Sequence, residues 1–348
     1  MKFTAVQMIG TQRSGSNLLR LMLNQLQEVS APHPPHILER FIPLLPAYGD
    51  LSVAENFSSL VHDVCSLVAY NPVQWQHISL KQNEIINRCN EPTLAEIVRV
   101  VYEMNAENEG ARIWMCKSLS NIHFAGLLEK NIQPKYIFLY RDGRDVACSF
   151  KRAVVGEKHV YHIAKQWQEE QELCMALTQK LGSERVTSVC YENLIKQPEK
   201  ELNRICAFIG VQYNSACLEY YQSTEAKNTA SSGKMWQNVE RSVIADNCNH
   251  YRKELSASEI FLFEGVAGET LEKLGYKTDF IWNKNVIFSN AEIKIFDKLN
   301  ELFKQKAKQQ QLPGDAEKRM LQEALLSNIR KRLINALPPV DIIEKIAV

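Results

Sequence analysis

Gly10 and Gly15 bracket Thr11, Gln12, Arg13 and Ser14, the GxxxxG spacing of a nucleotide P-loop. In a nucleotide hydrolase the next two positions are a lysine for the terminal phosphates and a Ser or Thr hydroxyl for Mg²⁺. Here they are Ser16 and Asn17, and the cation stands inside the loop as Arg13. That change argues against ordinary ATP or GTP hydrolysis. It leaves an anion cradle of backbone N–H groups at the positive end of a helix, with Arg13 as its charge and no need of a metal. A Gly/Ser turn without a ligand has the same composition, so the loop needs support from a second element.

Arg141 and Ser149 supply that support. Residues 136–140 read as a buried strand, and Arg141 stands at its carboxyl end, where open α/β sheets bind ligands. Ser149 lies about two helical turns further on, where its hydroxyl shares an anion with Arg141. Read alone, Arg141 to Asp145 is also the composition of a surface ion-pair network.

The elements that must hold these residues are legible in the apolar spacing. Residues 3–9 read as a buried strand ended by Gly10, and Leu18, Leu19, Met22, Leu23 and Leu26 recur at helical spacing. Strand, glycine-bounded loop and helix is the order that builds a phosphate site. Residues 50–110 read as helical, with joints near Asn71 and Asn90. Residues 113–116 and 186–190 are short strands. A long helix is predicted from about His159 to Leu181, and another over residues 198–209, begun by Pro198 and ended by Gly210. Residues 223–250 read as polar and irregular. Ser256 and Glu259 form a capping box for a helix ending near Gly275. Strands alternating with helices predict an α/β fold, a central parallel sheet flanked by helices on both faces. Beyond Lys284, Ile295, Phe296, Leu299, Leu302 and Phe303 make one amphipathic face, and Met320, Leu321, Leu325, Ile329 and Leu333 another. We read these as a helical C-terminal extension over residues 281–348, packed on the 1–280 domain or on a second copy in a homo-oligomer. Interspersed acidic residues disfavour a membrane-surface helix.

The 348 residues are 45% hydrophobic with net charge +1, an ordinary globular profile without the global field that binds nucleic acid. The nine cysteines have no CxxC or Cys/His grouping, which favours a reducing, cytoplasmic setting without a metal. No signal-peptide layout and no bilayer-length apolar run is evident.

Together the two anion motifs resemble the cofactor-binding motifs of the sulfotransferase family. Residues 12–19 look like its 5′-phosphosulfate loop, in the variant with Arg rather than Lys. Arg141 and Ser149 match the Arg and Ser of its 3′-phosphate motif. Residues 113–118 resemble the strand-then-lysine segment, which puts Lys117 near the sulfuryl group. Residues 189–194 resemble the segment whose tyrosine, here Tyr191, contacts the adenine. The stretch around Lys234 resembles the loop that closes over the 3′-phosphate. The resemblance covers roughly residues 1–277. It implies a P-loop-like sulfotransferase fold, 3′-phosphoadenosine 5′-phosphosulfate (PAPS) as donor and adenosine 3′,5′-bisphosphate (PAP) as product. It implies a donor site of Arg13, Ser14, Gly15, Ser16, Asn17, Leu18, Arg141, Ser149, Tyr191 and Lys234.

The sequence departs from that pattern in two places. Leu18 replaces an adenine-stacking aromatic, and Leu119 stands where the cytosolic branch carries its catalytic histidine. Other branches place a carboxylate after the loop's helix, a region that here reads His33-Pro34-Pro35-His36. A histidine suits a general base near neutral pH, and His36, opening a helix, is slightly preferred over His33. His123 and His159 are the next candidates. The implied reaction is in-line transfer to a hydroxyl or amine of a small-molecule, lipid or carbohydrate acceptor, with Arg13 and Lys117 stabilising the leaving phosphate. Segments 37–110 and 152–165 are expected to line the acceptor pocket. Two other readings stay open at this point: a P-loop kinase of a small molecule, and a non-catalytic protein on a degenerate P-loop scaffold.

Overall fold

The computed structural model describes residues 2–76, 78–280, 286–310 and 313–336. Strand β1 (Thr4–Ile9) leads through the glycine loop into helix α1 (Ser16–Leu23) and a two-residue strand β2 (Val29–Ser30). The Pro-rich segment then enters α2 (Ile37–Phe41), which continues as a 3-10 segment over Ile42–Tyr48, where Pro43 and Pro46 prevent regular α-helical bonding. Helices α3 (Ala54–Ala69), α4 (Gln82–Arg88) and α5 (Leu94–Asn108) fill the helical stretch before β3 (Ile113–Cys116). There follow α6 (Ala125–Asn131), β4 (Lys135–Tyr140), α7 (Gly143–Arg152), α8 (Val160–Leu181) and β5 (Val186–Cys190).

Helices α9 (Tyr191–Lys196) and α10 (Pro198–Ile209) come next. The polar region read as irregular contains a helix, α11 (Thr224–Ser231), and a 3-10 segment over Lys234–Glu240. Ser223 explains the helix, since its hydroxyl accepts from the Ala226 N–H and caps it. A short α12 (Tyr251–Glu254) precedes α13 (Ala257–Lys273), opened by the predicted Ser256/Glu259 capping box. The extension forms α14 (Asn290–Gln309) and α15 (Pro313–Ala336).

The sheet is wholly parallel, in the order β2-β3-β1-β4-β5. Period-2 alternation divides each strand between two cores. Trp114, Cys116, Tyr136 and Phe138 face the helices α3 and α5, while Ile113, Met115, Ile137 and Leu139 pack with α1 and α10. A third cluster joins α7, α8 and α13 around Trp167 and Phe263. β1 lies between β3 and β4, so the loops that follow these three strands emerge side by side at the carboxyl edge.

Each helix of the extension finds its own partner. α14 packs against α8, with the Phe296 and His159 rings stacked at 4.8 Å. α15 packs against α3 and the 42–48 segment, burying Leu326 and Ile329 in the main core. Gln322 donates to the Leu67 carbonyl at 2.8 Å, and Arg332 pairs with Asp63. The predicted inward faces differ in detail, because Ile295, Leu302, Met320 and Leu321 are exposed. The boundary after residue 280 adjoins residues 281–285, which lie outside the described residues. No described helix is long and apolar enough to cross a membrane.

Candidate active site

The glycine loop is shaped by contacts that leave no room for side chains. A Cβ on Gly10 would stand 2.2 Å from the Leu139 carbonyl oxygen of the neighbouring strand, and one on Gly15 would stand 2.3 Å from the Tyr191 ring. Arg13 and Gly15 have φ of 74° and 89°, so left-handed residues alternate with ordinary ones through the loop, the backbone alternation from which anion-binding nests are built. Thr11 is fully buried and accepts from Gln171 of α8 at 2.9 Å, which fixes the loop from below. Gly15 caps α1, whose first residues, Ser16 and Asn17, face the cleft.

Arg13 crosses from this loop to the β4 side. Its Nε donates to Ser149 Oγ at 3.0 Å, and its other end donates to the Met235 carbonyl at 3.1 Å. Burial, then the nearby Arg141 and Arg152 charges, lower its pKa to about 10. Arg141 donates to Asp145 and to the Asn247 carbonyl, and its guanidinium lies 4.5 Å above the Tyr191 ring. Asn247 also donates from its side chain to the Tyr191 hydroxyl at 2.6 Å. Sequence reasoning missed Asn247, which sits in a polar run without any local signal. Ser149 does lie two turns into α7, as its spacing from Arg141 predicts.

Lys117 follows β3, held there by Gln7. That buried amide donates to the Ser118 and Cys116 carbonyls and accepts from Asn121, locking the strand end beside β1. Burial, reinforced by Arg20 and Arg13, lowers the Lys117 pKa to about 7.

The Pro-rich segment returns to this point. Arg20 donates to the Ala31 carbonyl, and Asn71 and Trp75 both donate to the His33 carbonyl. His36 follows with φ 58° as the N-cap of α2. Its Nδ1 lies 3.6 Å from Glu39 and has no hydrogen-bond partner. Burial and the Lys117 charge push its pKa well below the usual histidine value. His33 points elsewhere: its ring meets Trp236 edge-on at 5.2 Å, and burial likewise holds it neutral.

These elements enclose one cleft of about 730 Å³. Arg13, Gly15, Ser16, Asn17, Leu18, His36, Lys117, Arg141, Ser149, Tyr191 and Lys234 line it. Ser14 is buried behind the loop, its hydroxyl without a partner, and His33 is not among the lining residues. His123 pairs with Glu170 and His159 stacks on Phe296, and neither lines the cleft. From segment 152–165, Arg152, Ala153, Val154 and Val155 contribute. Segment 37–110, expected at the acceptor pocket, contributes no described lining residue. Its apolar residues instead fill the core on one sheet face, and residues 234–239, Ala307 and Gln310 take that place.

Three buried polar atoms of the lining residues, Asn17 Oδ1, His36 Nδ1 and Arg141 Nε, have no partner. Buried polar groups are normally paired, so these three atoms stand out among the residues of the cleft. The arrangement offers a P-loop cradle, cations on both sides of it, and a neutral histidine at the rim.

Comparison with known proteins agrees. Two solved structures are similar: the sulfotransferase domain of the Synechococcus PCC 7002 olefin synthase, with 21% identity and TM-score 0.52, covering 80% of this chain and 97% of that one. The other is the sulfotransferase domain from the curacin biosynthetic pathway, with 20% identity and TM-score 0.50, covering 80% of this chain and 99% of that one. At such identities they establish a shared fold. No curated protein matches the chain. The model of the sulfotransferase family matches residues 6–215, which span the glycine loop, the Arg141–Ser149 motif and Tyr191. On that match over more than half of its length, with the fold to support it, the chain belongs to the sulfotransferase family.

Proposed function

We propose that the protein transfers a sulfuryl group from PAPS to an acceptor hydroxyl, releasing PAP. The observation that carries this reading is the meeting of the loop, Arg141 with Ser149, Lys117 and His36 in one cleft with unpartnered polar atoms. In this assignment the N–H groups of Ser14, Gly15, Ser16 and Asn17, with Leu18 beside them, hold the 5′-phosphosulfate. Arg141 and Ser149 hold the 3′-phosphate, Lys234 closes over it, and Tyr191 borders the adenine.

His36 takes the proton of the acceptor hydroxyl as its oxygen attacks sulfur in line. The bond from sulfur to the bridging phosphate oxygen breaks, and the electron pair stays on the phosphate. Lys117 and Arg13 stabilise that charge as it grows, in a site already organised to receive it. His36 is preferred to His33 as base because His36 is among the residues lining the cleft and His33 is not. The leaving phosphate is a good anion, so the reaction needs no metal.

The test is thermal unfolding with PAP and without Mg²⁺. A ligand at a hundredfold excess over its Kd stabilises by about 2.7 kcal/mol. Stabilisation by ATP with Mg²⁺ but not by PAP would favour a small-molecule kinase, and binding of neither would favour a scaffold.

A further inference from the structure

The C-terminal extension reaches the cleft. Ala307, near the end of α14, and Gln310 after it both line the cavity. They face the cleft beside the turn that carries Ala153, Val154 and Val155, which leads from α7 into α8. That turn is clamped from two sides. From within, the buried Lys158 ammonium donates to the Phe150, Val155 and Gly156 carbonyls at 2.9, 2.6 and 3.0 Å. From outside, the buried Asn300 of α14 accepts from the Lys158 and His159 N–H groups at 2.9 and 3.0 Å. Asn300 also donates to Glu157, which Lys304 of α14 pairs at 2.9 Å. A buried amide thus ties the extension to the wall of the cleft, beside the Lys304–Glu157 pair and the Phe296–His159 stack.

The chemistry of that wall is uncharged. Ala153, Val154, Val155, Met235, Trp236 and Ala307 are apolar, and Gln237, Asn238 and Gln310 are neutral amides. The charged lining residues are Arg13, Lys117, Arg141, Lys151, Arg152 and Lys234, and no described Asp or Glu lines the cleft. Lys151 and Arg152 are already paired with Glu259 and Glu254. The remaining cations match the donor's phosphates. An ammonium on the acceptor would be desolvated with no protein carboxylate to receive it.

Resting on the PAPS reading above, we propose that α14 forms one wall of the acceptor site. Asn300 is its positioning residue, and the site takes an uncharged alcohol with an apolar body rather than an amine. Acceptor selection then resides partly in the extension, outside the segment that matches the family. Because Asn300 holds the turn rather than the donor loop, its loss loosens the acceptor wall and leaves PAP binding intact.

The experiment uses the full chain and two matched probes, 1-octanol and octylamine, at neutral pH. PAP affinity is measured first, and its absence in the parent protein sinks the donor assignment rather than this inference. With PAP bound, 1-octanol should bind and octylamine should bind at least about tenfold more weakly. Ala307→Trp, at a half-buried position on the cleft wall, should weaken 1-octanol binding by about tenfold or more, the scale of a filled apolar pocket. Asn300→Ala should do the same, and both variants should keep PAP affinity within about twofold. Equal or tighter binding of octylamine overturns the proposal, as does failure of 1-octanol to bind. So does unchanged 1-octanol affinity in Ala307→Trp, a variant whose fold is checked by its retained PAP binding.

Discussion

Arg13 of the glycine loop donates to Ser149 of α7 at 3.0 Å, joining the two anion motifs directly across the cleft. The resemblance to the sulfotransferase family assigns Arg13 to the 5′-phosphosulfate loop and Ser149 to the 3′-phosphate motif. On the proposed assignment this bond ties Arg13 to a group that would hold the 3′-phosphate, so donor binding and leaving-group stabilisation should be coupled.

Arg141→Ala should weaken PAP binding by about 2–3 kcal/mol, the worth of a charge-assisted hydrogen bond, and appear mainly in the donor KM. Arg13→Ala should lower kcat and raise the donor KM together, because its side chain reaches Ser149 as well as the loop. Steady-state kinetics on both variants checks this. An Arg13→Ala effect confined to kcat would show that the Ser149 contact does not persist with donor bound.

His36→Ala should bind PAP normally and lose turnover by roughly 10²–10⁴-fold, the usual range for a general base. His33→Ala should retain turnover. Burial and the Lys117 charge hold the His36 pKa below the ordinary value of 6.5. The neutral, active form therefore persists as pH falls, and the acid limb of kcat/KM should lie below 6.5. Bound donor adds negative charge and favours the protonated ring, so the limb of kcat should lie at higher pH than that of kcat/KM. An acid limb that survives in His36→Ala places the base elsewhere.

Lys117 should make PAP binding take up protons. Its pKa is lowered from 10.5 to about 7, so between these values the free protein carries it mostly neutral. An adjacent phosphate restores the charge, and one proton enters with the ligand. Titration calorimetry in buffers of different ionisation heat should report uptake approaching one proton at about pH 8.5, absent in Lys117→Met. The unfolded chain holds this proton up to 10.5, so the group's contribution to stability rises with pH from about 7 to 10.5. Lys117→Met should flatten that rise.

Gly15→Ala should abolish PAP binding while most of the fold survives. The added methyl meets the Tyr191 ring at 2.3 Å and the backbone stands at φ 89°, so ring, loop or both must move. Strain of this kind costs about 1–3 kcal/mol. A reduced Tm with lost PAP stabilisation is expected, and wild-type PAP affinity would mean that Tyr191 moves freely without consequence for the loop.

Local signals determined much of this protein. Strand, glycine, polar loop and apolar helix at residues 3–26 are legible as a P-loop-like unit, because the glycine positions and helical spacing are local properties. The apolar runs at 113–116, 136–140 and 186–190 are strands for the same reason, and the parallel sheet follows from their alternation with helices. Arg13, Arg141 and Ser149 were legible as candidates from residue type and spacing, and the resemblance to the sulfotransferase family added Lys117, Tyr191, Lys234 and the His33–His36 region. The tertiary structure alone decided which of them meet. The sequence favours His36 over His33 only slightly, and a left-handed turn at His36 with Trp236 against His33 separates them. Asn247 has no local signal, since its role comes from Arg141 and Tyr191, both distant in the chain. Of the two segments expected at the acceptor pocket, 152–165 reaches the cleft through residues 152–155 while 37–110 does not, and Met235, Trp236, Ala307 and Gln310 line it instead. An apolar helix carries no information about whether it covers the sheet or faces a cleft, and only packing against the rest of the chain makes that choice.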